Sequence, residues 1–213
     1  MKFKILVIFC ALSVLSSAQN AVDYRSWTKV SVGLKPAKDY KLGLSGMYRT
    51  NTGEGFNRFI SAAQLSKTPS KNLKYASELR HYLIFDDKGA NTGIRHRARL
   101  RLTVERRYKV STGEFFMRYG VQHREVITGS GLRRTDFRVR ATYAHNIKNF
   151  KWDPQFNVEY VGNAGGSFDK SIRAGVSTEH NFLSGKIDLG YFYERNPQLL
   201  DLDCHTVSIG LKF

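Results

Sequence analysis

The sequence predicts an all-β chain: a transmembrane antiparallel up-and-down β-barrel. Three observations carry this. One is a strict two-residue alternation from Ile94 to Tyr108. Another is a short apolar leader behind two lysines. The last is a final segment that ends on an aromatic residue, Phe213. In the alternating stretch Ile94, His96, Ala98, Leu100, Leu102 and Val104 form one set, and Arg95, Arg97, Arg99, Arg101, Thr103, Glu105 and Arg107 form the other. A strand sends alternate side chains to opposite faces, so this is one greasy face and one arginine ladder. A helix would spread those arginines around its whole circumference. A membrane barrel uses about ten such two-faced strands, greasy side to lipid and polar side to lumen.

The N-terminus reads as a secretory signal peptide over residues 1–18. Lys2 and Lys4 supply a positive start, Ile5 to Leu15 an apolar core, and Ser16-Ser17-Ala18 the small residues before a cut. Phe9 is too bulky to precede a lipidated Cys10. No later segment approaches the ~20 apolar residues of a spanning helix. Residues 19–213 then form one domain, since no linker or change of composition divides them.

Alternating segments recur at 24–35, 39–50, 56–67, 72–85, 93–109, 113–127, 132–147, 150–162, 167–181, 185–195 and 203–213, separated by Gly, Asn, Asp and Ser clusters. Their greasy sets include Tyr40, Leu42, Leu44 and Tyr48; Phe115, Met117, Tyr119 and Val121; Phe137, Val139, Ala141 and Tyr143; and Ile187, Leu189, Tyr191 and Tyr193. Aromatics fall near segment ends, where a girdle would meet headgroups. The connections alternate short and long. Ser111–Gly113, Asn146–Asn149 and Leu183–Gly185 are short, whereas Asp86–Thr92, Thr128–Leu132, Gly162–Gly166 and Asn196–Asp201 are longer. Short turns belong to the periplasmic side and longer loops to the outside. Eleven segments conflict with the even strand number usual in bacterial barrels. Leaving out the first, around Trp27, gives the preferred count of ten; splitting a long segment gives twelve.

The last strand is the most specific motif. Val207, Ile209 and Leu211 alternate up to Phe213, which resembles the terminal signal read by the outer-membrane assembly machinery. That machinery is an expected transient partner, alongside outer-membrane lipids and lipopolysaccharide, and the expected location is the bacterial outer membrane.

Charge narrows the function. The surplus is +16, falling to +14 without Lys2 and Lys4, because no acid precedes Asp23. In a cytosolic chain this would suggest nucleic acid, but an exported one seldom meets it. The candidate lumen residues are Arg80, Arg95, Arg97, Arg99, Arg101, Arg118, Arg138 and Arg140, with Arg124, Arg134 and Arg173 on comparable faces. Alternate strand residues lie about 6.5–7 Å apart. Like charges at that distance repel by roughly 2–2.5 kcal/mol at an effective dielectric of about 20. A row of four therefore needs interleaved carboxylates or a wet, anion-holding lumen. The carboxylates on offer are Glu78, Glu105, Asp136, Glu159, Glu179, Asp188 and Glu194. Three readings stay open: a salt-bridged filling of side chains, a narrow anion-favouring pore or binding barrel, and rim arginines that grip lipopolysaccharide phosphates.

An enzymatic barrel, modifying lipids or cleaving proteins, is the alternative class, and a purely structural envelope barrel the third. The histidines are His81, His96, His123, His145, His180 and His205, and four of them (His96, His145, His180 and His205) lie on apolar sets. Ser130 between Gly129 and Gly131 lacks the strained turn of a nucleophile elbow. No catalytic residue is named. Cys204 is the one cysteine after the leader, and no spacing suggests a metal or a cofactor.

The runs Glu78-Leu79-Arg80-His81-Tyr82, Arg95 to Leu102 and Leu132-Arg133-Arg134-Thr135-Asp136-Phe137-Arg138-Val139-Arg140 carry an Arg-x-Arg rhythm. With the leader and the early Trp27, this resembles an uncharacterised family of Gram-negative outer-membrane barrel proteins, catalogued as a domain of unknown function. The resemblance implies a barrel in the outer membrane over residues 20–213. It implies no reaction, ligand or functional residue.

Overall fold

A computed structural model describes residues 22–51, 57–86, 93–129, 133–165, 170–196 and 202–213. Residues 1–18, expected to be a signal peptide, Ser130 and much of the longer loops lie outside the described residues. Among the described residues eleven strands form: β1 (Val22–Ala37), β2 (Tyr40–Asn51), β3 (Asn57–Ser70), β4 (Leu73–Asp86), β5 (Gly93–Val110), β6 (Gly113–Val126), β7 (Arg134–His145), β8 (Pro154–Asn163), β9 (Ser171–Phe182), β10 (Gly185–Asn196) and β11 (Leu202–Lys212). Each pairs antiparallel with its sequence neighbours, and β1 pairs with β11 to close the barrel.

The count of ten or twelve is thus corrected to eleven. The segment around Trp27 is a full wall strand. It shows the same two faces as the others, with Tyr24, Val30, Val32 and Leu34 exposed outside while Arg25, Trp27 and Lys29 reach the interior. An odd number of up-and-down strands leaves the first and last running the same way. The seam is accordingly parallel, from Val22 opposite Asp203 to Ser31 opposite Lys212. It continues to the last residue: the Phe213 N–H donates to the Ser31 carbonyl and the Gly33 N–H to the Phe213 carbonyl, both at 2.8 Å.

A second correction concerns the connection after β7. It runs over residues 146–153 rather than Asn146–Asn149, and β8 begins at Pro154. The Phe150 N–H bonds the Ile147 carbonyl, Asn149 takes a positive φ of 64°, and the Asp153 carboxylate accepts the Ile147 N–H. These local bonds occupy groups that a strand ladder would have used.

The greasy sets read from the sequence face outward. Leu44, Tyr119, Val121, Phe137, Tyr191, Val207 and Ile209 are among the exposed large apolar residues. The buried residues are mostly polar, among them Asp23, Glu78, Arg99, Gln122, Asp136 and Glu159. This inside-out distribution is the inverse of a water-soluble core. One inward ring depends on a glycine. A Cβ at Gly175 would lie 2.5 Å from Cδ1 of Phe192 and 2.8 Å from the Tyr191 carbonyl, so its absence lets Phe192 lie flat against the wall.

Candidate functional site: an arginine-lined lumen

The inward set of every strand faces one cavity of about 1460 Å³. Lys170 and Ser171 at the start of β9 line it, and so do Leu183 and Ser184 just past its end. The cavity therefore follows the whole length of that strand. Among the described residues nineteen lysines and arginines line it, against five carboxylates.

Seven of the eight arginines singled out from the sequence meet there: Arg80 on β4, Arg97, Arg99 and Arg101 on β5, Arg118 on β6, and Arg138 and Arg140 on β7. Arg95 is not among the lining residues. It sits where β5 leaves the loop end, its methylenes against Gly129, which takes a φ of +81°. Register stacks the arginines across strands as well as along them. Arg80 lies opposite Arg99, Arg99 opposite Arg124, Arg124 opposite Arg134, and Arg118 opposite Arg140.

Carboxylates are set into this field as shared anchors. Glu78 faces three guanidinium groups, with contacts of 2.6 Å from Arg80, 3.1 Å from Arg101 and 3.6 Å from Arg99. Glu159 takes Arg138 at 2.5 Å and Arg173 at 3.5 Å. Glu194 takes Arg173 at 2.7 Å and Arg25 at 3.7 Å. Glu105 pairs with Arg118. Asp136, fully buried, holds Arg124 at 2.8 Å and Arg134 at 3.1 Å, and accepts the Gln122 amide at 2.7 Å. The row from Arg97 to Arg101 is thus braced by carboxylates but not balanced by them. Near the turn end Lys212 sits between Glu179 and Asp188, and Lys186 shares Glu179.

The inward aromatics on the cavity wall, Trp27 and Tyr82 among them, were not anticipated, because the sequence pattern assigns aromatics to the outer girdle. Trp27 lies under the Arg49 guanidinium at 3.9 Å and the Arg173 guanidinium at 5.4 Å. Tyr82 lies under Arg99 at 5.5 Å. Arg25, Arg49 and Arg58 on β1, β2 and β3 also line the cavity. Each stands alone on its strand, outside any Arg-x-Arg run. The usable signal was position: each alternates with an outward aromatic, Tyr24, Tyr48 or Phe59.

The outer wall carries all six histidines, in two tiers. His81 and His96 stack at 5.3 Å near the loop end, His123 bonds Thr135 beside them, and His205 stacks on Tyr24. His145 packs on Tyr143 and His180 on Trp152 at the turn end. A shallow external groove of about 490 Å³ lies around Tyr24, Tyr191, Tyr193 and His205. Of the terminal motif, Val207 and Ile209 are exposed on the outside, Leu211 lies opposite Val30 across the seam, and Phe213 is exposed at the turn end, where it also borders the cavity. Among the described residues no three His, Cys, Asp or Glu side chains come together as metal ligands would.

Compared with family models, curated proteins and solved structures, the chain finds no match in any of the three.

Proposed function

We propose that this protein is an integral outer-membrane β-barrel that acts as a narrow pore or binding barrel favouring anionic solutes. The observation that carries the proposal is the lumen's composition: nineteen cationic side chains and five carboxylates around one cavity that follows the barrel wall. Fixed guanidinium groups set in low-dielectric walls raise the local concentration of anions and repel cations. A solid salt-bridged filling would need near parity of charge and little free volume. Neither is present along the arginine rows.

The outward face supports placement in a membrane. On β5 the stretch from His96 to Arg106 covers about 33 Å along the strand, or about 25 Å along the axis at a tilt of about 40°. Between them Ala98, Leu100, Leu102 and Val104 point out, with three of these exposed. That height matches the apolar band of outer-membrane barrels, about 25 Å. The leader-like residues 1–18 and the alternating Val207, Ile209 and Leu211 support export and recognition by the assembly machinery, and Arg95 at the loop end supports contact with lipopolysaccharide phosphates.

Planar-bilayer recording tests the proposal. Under a potassium chloride gradient the reversal potential is expected near the chloride equilibrium potential. A reversal potential near that of potassium, or no conductance from correctly folded protein, overturns the pore.

A further inference from the structure

The lumen is not uniformly basic. In its loop-side half, side chains from different walls approach one another. Arg49 on β2 shares this stretch of the cavity wall with Arg80 and Tyr82 on β4, Arg99 on β5 and Arg173 on β9, and the Arg99 guanidinium lies over the Tyr82 ring at 5.5 Å. Among the described residues no carboxylate lies within ion-pair distance of Arg49, whose Nε instead contacts the Met47 sulfur at 3.0 Å. Its flat face is held against Trp27 at 3.9 Å, and Arg173 approaches the same indole from across the lumen. Arg99 is buried, reaches its nearest carboxylate oxygen on Glu78 only at 3.6 Å, and shares that group with Arg80 and Arg101.

From this ring we infer a specific binding site for a doubly charged tetrahedral oxyanion: phosphate, sulfate or a small phosphoryl ester. The inference rests on the reading of the lumen as a place for anions, and it names the class. Guanidinium groups come from three directions, the β2, β4–β5 and β9 walls. A planar carboxylate offers acceptors in one plane and suits a single fork. A tetrahedral anion presents oxygens to all three walls at once. Trp27 fixes Arg49 by a cation–π contact, which leaves the edge of its fork, not its face, for the ligand. The surplus of charge in the ring favours a dianion over chloride or acetate. Glu78 and Glu194 hold the surrounding arginines in place, so the site is formed before the ligand arrives.

Trp27 provides the readout. In folded, detergent-solubilised protein carrying Trp152→Phe, it is the one remaining tryptophan. Titration with sodium phosphate at pH 8 should change its fluorescence saturably, and sodium sulfate should do so in the same range. Sodium acetate at matched ionic strength should require at least about tenfold higher concentration. Arg49→Gln should raise the half-saturating phosphate concentration at least about tenfold. Arg49→Lys, which keeps the charge and loses the fork, should raise it by a smaller factor, and it serves as the test if the glutamine variant does not fold. Equal, unsaturating responses to phosphate and acetate overturn the site, as does an unchanged half-saturation in a folded Arg49 variant. Chloride conductance without phosphate saturation leaves the pore standing and removes this site. Saturation without conductance keeps the site and makes the barrel a closed binder.

Discussion

Asp136 shows how a single residue can organise a basic lumen. It is fully buried, and two arginines and an amide converge on its carboxylate. Removing one partner of such a buried network is far costlier than removing the network as a whole, because the remaining charges keep their desolvation cost. Arg124 and Arg134 keep some exposure, at 33% and 24% of their side chains, which softens the penalty. Asp136→Asn is therefore expected to destabilise the barrel by about 2–4 kcal/mol, read as a lower urea midpoint in detergent or lipid. The sequence placed Asp136 and its arginines on polar faces. It could not say that they meet, because cross-strand partners follow from register, and register is set by turns and closure far from the residue itself.

At the scale of the element, β1 is the instructive strand. Its alternation was legible, yet parity argued for leaving it out. Parity is a regularity of known barrels, whereas pairing follows from exposed ladder groups that must find partners. With ten strands closed without it, β1 would leave its own N–H and C=O groups open while presenting an apolar face. The register of the seam makes this testable. Thr28 lies opposite Ile209, both on the outer face. In a Cys204→Ser background, Thr28→Cys combined with Ile209→Cys should form an intrachain disulfide on oxidation, seen as a shift in electrophoretic mobility. Folded protein that shows no such shift would mean the wall closes without β1. The eight-residue connection before Pro154 was the element the sequence misplaced. Phe150 extended the apolar pattern, but the positive φ of Asn149 and the bond from Ile147 to Asp153 form a local turn that pattern alone does not reveal.

For the whole molecule, eleven strands separate the ends. β1 and β11 run parallel, so Val22 lies at the loop end and Phe213 at the turn end. If the short turns face the periplasm, an epitope tag inserted directly before Val22 should be reached by antibody on intact cells. A tag after Phe213 should be reached only once the outer membrane is permeabilised. Labelling of both tags from the same side would contradict the parallel seam. The two tiers of outward histidines belong to this scale too. They sit where aromatics sit, near each end of the wall, and they leave the middle of the barrel to aliphatic side chains. Imidazole has an apolar body and a polar tip and suits a headgroup boundary better than hydrocarbon.

The sequence by itself determined what repeats locally: strands, their two faces, the outward apolar sets and the arginine rows. A two-residue period is written into each segment and needs no distant partner to be seen. The tertiary structure decided the strand number, which carboxylate braces which arginines, the displacement of Arg95 to the rim, and the meeting of Trp27, Arg49 and Arg173 across the lumen. Those contacts join residues far apart in the chain, and only the closure of the wall brings their side chains within reach of one another.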